Sequence, residues 1–240
     1  NKKSADISQA SNFILGQAFV SGISGRHLRM KETSYNDTYM TPIVYISTRL
    51  YKGNIGGIDT WMTDYGVAQW EYNLINNVFN KLPHKVRYKT YPEETRRYAD
   101  SDIVSNEITS NCSNIEVFDE KIDMRYLVNQ HQVLVTSYAT STLSWAIMSE
   151  RPVVFINAKN NGALSQAAYE SFKKGIFVFD DVEDNFYENL NNFLSKPIEE
   201  IMKLWGQKKS AREDMIHNFF TSYSSGSGKR AAEMIMVKYL

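Results

Sequence analysis

The chain has a single cysteine, Cys112, in 240 residues, so no internal disulfide can form and no cysteine cluster can carry a structural zinc. Its four histidines, His27, His84, His131 and His217, are scattered, with neither zinc spacing nor a nucleophile-elbow context. A metal centre and a hydrolase triad are therefore not expected. Net charge is missing as well. With 27 basic and 27 acidic side chains, nothing predicts a general grip on nucleic acid or on an anionic membrane, so any anionic ligand must be held locally. Long apolar runs are also absent. The opening "NKKSADISQASNFILGQAFVSGISG" has a basic start, but Gly16 and Gln17 break its short apolar stretch, which fits neither a signal peptide nor a spanning helix. A cytoplasmic setting, at most against the inner face of the membrane, is the expectation. The first residue is Asn1 rather than Met, which reads as a fragment or a trimmed chain.

From Thr41 onward, short β-branched runs alternate with longer amphipathic stretches. That alternation predicts parallel strands joined by helical crossovers. The expected strands are 42–48 "PIVYIST", 86–91 "VRYKTY", 115–119 "IEVFD", 133–138 "VLVTSY", 152–157 "PVVFIN" and 176–180 "IFVFD". The most continuous, "VLVT" and "VVFI", are expected at the centre, where both faces are covered. Helices are expected over 65–81, 124–130, 140–150 and 164–174, followed by a wholly helical tail after Asp181. The fold class is thus α/β, a Rossmann-like doubly wound parallel sheet of about six strands with a helical C-terminal tail, occupying residues 41–240. Residues 1–40 do not share the alternation and read as a linker or the remnant of a preceding domain.

In such a sheet, ligands collect at the carboxyl ends of strands. Three of those ends are polar. The segment "TSYATSTLSWAIMSERPVVFIN" sets Ser137, Thr140, Ser141 and Thr142 between a buried strand and a helix. Hydroxyls and unpaired amides at a helix start can converge on an anion, and the same residues equally suit plain N-capping. The second edge, "ISTRLYKGNIGGID", places Arg49, Lys52, Gly56 and Gly57 after the first strand, a cationic, amide-rich loop for phosphate. A flexible turn with Arg49 on a surface carboxylate fits it too. The third edge, "KTYPEE", offers Lys89 as a cation, Tyr91 for stacking or hydrogen bonding, Pro92 to fix the turn and Glu93 or Glu94 for ribose hydroxyls, and a strand end followed by an acid-rich helix start fits it as well. Neither a P-loop nor a dinucleotide fingerprint is present in any of them. "SGSGK" at 225–229 lacks the first glycine and a preceding strand, and reads as the cap of the last helix. The "DSD" at 100–102 lies in a polar connection, and no metal is assigned to it.

Three longer stretches go together: "GGIDTWMTDYGVAQWEYNLINNVFNKLPHKVRYKTYPEE", "IEVFDEKIDMRYLVNQHQVLVTSYATSTLSWAIMSERPVVFINA" and "AYESFKKGIFVFDD". Their combination resembles the carboxyl-terminal part of bacterial transferases of surface-carbohydrate biosynthesis. These are glycosyltransferases of the GT-B architecture, with a more distant likeness to sialyl- and Kdo-transferases and to teichoic-acid glycerophosphotransferases. The resemblance covers about residues 42–240. It implies a donor-binding domain that takes a nucleotide-sugar as substrate, a glycan acceptor, no metal cofactor, and a further amino-terminal domain or partner subunit. It also implies donor phosphate at Thr140, Ser141 and Thr142, and Asp119 near the base or the ribose, a position that a strand-end turn explains as well. Tyr91 and Pro92 fall where the sialyl- and Kdo-transferases carry a His-Pro pair. A tyrosine there donates a hydrogen bond but is no imidazolium acid. No catalytic base is nominated. An epimerase or glycerophosphotransferase of the same architecture, or a non-catalytic interaction module, remains open.

Overall fold

The computed structural model describes residues 41–47, 63–90, 102–120, 122, 124–139, 141–160, 163–220 and 227–239. Of the expected features, the 1–40 segment and Arg49, Lys52, Gly56, Gly57, Tyr91, Pro92, Glu93, Glu94 and Thr140 lie outside the described residues.

Six parallel strands form one sheet: β1 (Thr41–Ile46), β2 (Val86–Lys89), β3 (Ile115–Phe118), β4 (His131–Thr136), β5 (Val153–Asn157) and β6 (Phe177–Asp180). Their order is β3-β2-β1-β4-β5-β6. Chain order runs outward in both directions from the β1–β4 seam, where Ile43 pairs with Val133 and Tyr45 with Val135. The "VLVT" strand is central, as its unbroken apolar run predicts. The other central position goes to β1, and "VVFI" lies one strand further out. Successive residues Ile43, Val44 and Tyr45 are all fully buried, so side chains on both faces of β1 are covered.

The crossovers are α1 (Asp64–Asn77), α2 (Ile103–Asn111), α3 (Ser141–Met148) and α4 (Gln166–Gly175). The tail is α5 (Phe186–Leu194), α6 (Ile198–Gln207), α7 (Lys209–Phe219) and α8 (Ser227–Tyr239). Caps define several starts. Thr63 accepts from the Gly66 amide in α1, and Ser165 from Ala168 in α4. Asp102 accepts from both Val104 and Ser105 in α2. The carboxylate of the "DSD" triplet thus starts a helix where the sequence suggested only a polar connection. The helix was hidden because "IVSNEITSN" is poor in strong helix formers, and only Val104 and Ile108, four apart, are buried. A second correction falls at 124–130. One helix was expected, and two 3₁₀ turns occur, Met124–Tyr126 and Val128–Gln130. Seven residues ahead of a strand are too few to offset helix nucleation.

The tail is tied to the sheet through the end of α4. Lys208 Nζ donates to the carbonyls of Lys173 (2.8 Å) and Lys174 (3.1 Å), and the Arg212 guanidinium donates to those of Trp205 and Gly175. Cations there satisfy carbonyls that a helix end leaves unpaired. The approach is close. A Cβ on Gly175 would lie 3.0 Å from Met215 Sδ, 3.1 Å from Arg212 Cα and 3.3 Å from the Ala211 carbonyl oxygen. Two of those three atoms are backbone and cannot swing aside. Gly175→Val is expected to lower stability by about 2–3 kcal/mol through overpacking. Urea denaturation checks this, and a midpoint equal to wild type would contradict the close approach.

Candidate functional site

Strand order reverses between the parallel strands β1 and β4, and the carboxyl ends of these two strands border a crevice position of the kind that binds ligands in open α/β sheets. Side chains at that edge follow from the register. Tyr45 of β1 pairs with Tyr88 of β2, so both rings lie on one face, stacked with centroids 5.8 Å apart. Ser47, two residues beyond Tyr45, points the same way. Helix α1 lies over this face and supplies Glu71, which is fully buried.

The Glu71 carboxylate gathers the hydroxyls around it. Tyr45 Oη donates to Oε1 at 2.9 Å and Tyr88 Oη to Oε2 at 2.6 Å. Ser47 Oγ reaches both oxygens, at 2.8 and 2.9 Å. From β4, Ser137 Oγ stands 3.4 Å from Tyr45 Oη, which links the two sides of the seam. Burial first, and the neighbouring Glu71 carboxylate next, push the Tyr45 phenol well above its ordinary range, so Tyr45 stays protonated and able to donate. Sequence reading missed Glu71. The signal was a carboxylate on the inward stripe of α1, among Val67, Ala68, Leu74 and Ile75, all buried.

The expected site residues that are described fall at or near the same edge. Lys89, the last residue of β2, is buried, and its ammonium donates to the carbonyls of Thr90 (2.8 Å) and Glu120 (2.9 Å) beside the Phe118 ring. Ser137 is buried just past β4, Ser141 opens α3, and Thr142 is half-buried in its first turn. Asp119 is exposed after β3. Beyond the seam, Asn157 at the end of β5 donates to Asp180 at the end of β6 (2.6 Å), and Asp180 also accepts from Tyr169 of α4. Among the described residues, no group of three or more His, Cys, Asp or Glu side chains is placed to hold a metal ion. No described helix is long and apolar enough to cross a membrane.

Fold and edge together define a doubly wound α/β protein of 3-2-1-4-5-6 strand order with a polar reversal point. Solved structures similar to the chain include WaaG, a glycosyltransferase involved in lipopolysaccharide biosynthesis. It is 13% identical over 91% of this chain and 51% of that one, with a TM-score of 0.45. A variant of the wall teichoic acid polymerase TagF is 10% identical over 98% of this chain and 50% of that one, TM-score 0.42. The same polymerase soaked with CDPG is 14% identical over 89% and 45%, TM-score 0.33. The chain spans about half the length of the solved structures it matches. No family model and no curated protein matches the sequence.

Proposed function

We propose that the chain is the donor-binding part of a glycosyltransferase that moves a sugar from a nucleotide-activated donor to a bacterial surface-polysaccharide acceptor. The observation that carries this reading is the coincidence of the reversal in strand order, polar strand ends and the start of α3 on one edge of the sheet. Amides opening α3, together with Thr142, hold the donor phosphate as charge develops on the leaving group. Arg49, Lys52, Gly56 and Gly57 after β1, and Tyr91, Pro92 and Glu93 after β2, flank that position in sequence and complete the proposed donor contacts. The acceptor contacts and the catalytic base belong to a further domain or a partner subunit.

Calorimetry of the folded chain with CMP, CDP, UDP, GDP and their sugar conjugates tests the proposal. Binding of at least one at micromolar to millimolar Kd is expected, with little turnover by the isolated chain. The transfer is proposed to need no metal, so addition of EDTA should leave that Kd unchanged within twofold. A tenfold weakening would overturn this part of the proposal. A second reading, a non-catalytic interaction module, is favoured by one observation: the described strand-end groups bond to Glu71, to one another or to the main chain, as Tyr45, Ser47, Tyr88 and Lys89 do. Absence of binding to every nucleotide in that series would select this module.

A further inference from the structure

Glu71 is the only buried carboxylate among the described residues, and it lies at the edge where strand order reverses. Burying a carboxylate costs several kcal/mol even with good partners, whereas a leucine on α1 could pack against Tyr45 and Tyr88 without that penalty. An ionised carboxylate only accepts hydrogen bonds. The hydroxyl protons of Tyr45, Ser47 and Tyr88 therefore turn inward, toward Glu71. The consequence extends across the seam. With its proton committed to Glu71, Tyr45 Oη can only accept from Ser137 Oγ. Ser137 thus spends its own proton on Tyr45 and keeps only oxygen lone pairs for any other contact.

Resting on the donor-binding reading above, we infer that Glu71, acting through Tyr45, is a specificity-determining positioning residue that makes Ser137 a hydrogen-bond acceptor, so the end of β4 receives a hydroxyl of the transferred sugar and not a phosphate oxygen. Electrostatics point the same way. A buried negative charge beneath Tyr45 and Ser47 opposes a phosphate there and leaves the anion to the amides at the start of α3. Ser137 is buried, and at a buried oxygen a correctly directed hydrogen bond from the sugar hydroxyl counts most and a misdirected one is most costly.

The test compares wild type, Glu71→Gln and Tyr45→Phe in titrations with UDP and UDP-glucose, and with CDP and CDP-glucose. Glutamine keeps the shape of Glu71 but presents an amide N–H, so Tyr45 and Ser137 can reverse their protons. Phenylalanine cuts the link while leaving Glu71 bonded to Ser47 and Tyr88. Both variants are expected to weaken the sugar conjugate about tenfold, the effect of one lost hydrogen bond, while the bare diphosphate binds as before or more tightly. Equal changes for diphosphate and conjugate, as a purely structural role predicts, would overturn the inference. If Glu71→Gln does not fold, Tyr45→Phe carries the comparison. The infrared difference between wild type and Glu71→Gln at neutral pH gives a readout free of nucleotide. An ionised carboxylate band supports the inward direction of the protons, and a protonated band overturns it. Should wild type bind none of the four probes, the comparison is made with whichever nucleotide and conjugate of the calorimetric series does bind; if none of that series binds, the donor-binding reading falls, and the infrared band alone decides whether Glu71 directs these hydroxyls.

Discussion

Acidification from pH 7 to pH 4 is expected to remove about 3 kcal/mol of folding stability through the single side chain His131. His131 opens β4 and is fully buried, and neither ring nitrogen has a hydrogen-bond partner. Burial, and then the neighbouring Arg87 guanidinium, lower its pKa from 6.5 to about 3. The unfolded chain takes up a proton on this imidazole below about pH 6.5, and the folded chain does not until about pH 3. Through that window the unfolded state binds more protons, so stability is full above it and falls as the pH falls. Across the whole window the loss reaches about 5 kcal/mol, a large share of the ~5–15 kcal/mol that holds a domain folded. His131→Leu should flatten this component. At pH 7 it should also stabilise the protein by about 1–2 kcal/mol, because two buried nitrogens without partners are removed. Urea melts at pH 7, 5.5 and 4 measure both effects. A wild-type and a variant curve of equal slope would show that His131 is not buried in neutral form.

Glu71→Ala is expected to cost about 3–5 kcal/mol. The substitution removes the acceptor shared by three buried hydroxyls, each worth about 1–3 kcal/mol when left unpaired. It also opens a cavity beside the stacked Tyr45 and Tyr88 rings. Release of a buried charge offsets part of that loss. Chemical denaturation of the purified variant gives the difference, and a loss below about 1 kcal/mol would show that the hydroxyls find other acceptors. Glu71→Gln, which keeps one oxygen acceptor, should lose less than half as much.

The architecture was legible because the apolar runs are short, β-branched and regularly spaced. Each of the six expected strands overlaps an observed strand, with no end displaced by more than two residues. What escaped was whatever depends on partners distant in sequence. Helix α2 is built from a weak sequence and stands on the Asp102 cap and on packing of Val104 and Ile108. Glu71 shares the inward stripe of "DYGVAQWEYNLINN" with Val67, Ala68, Leu74 and Ile75, but nothing local to the helix tells that the stripe faces the reversal point. The register that brings Tyr45 and Tyr88 to Glu71 exists only once β1 and β2 pair. Lys89 shows the same limit from the other side. Its place at a strand end was legible, but the carbonyls of Thr90 and Glu120 that take up its ammonium were not.

The strand order has a kinetic corollary. β1, β2 and β3 pair in chain order, and so do β4, β5 and β6, so each half can assemble from sequence neighbours. Joining them requires Thr41 to find His131, a contact of high sequence separation of the sort that slows folding. The proposed donor position spans that junction and forms only when the two halves meet. A bound nucleotide would therefore act as a latch on the junction between two half-sheets, slowing their parting more than it speeds their meeting.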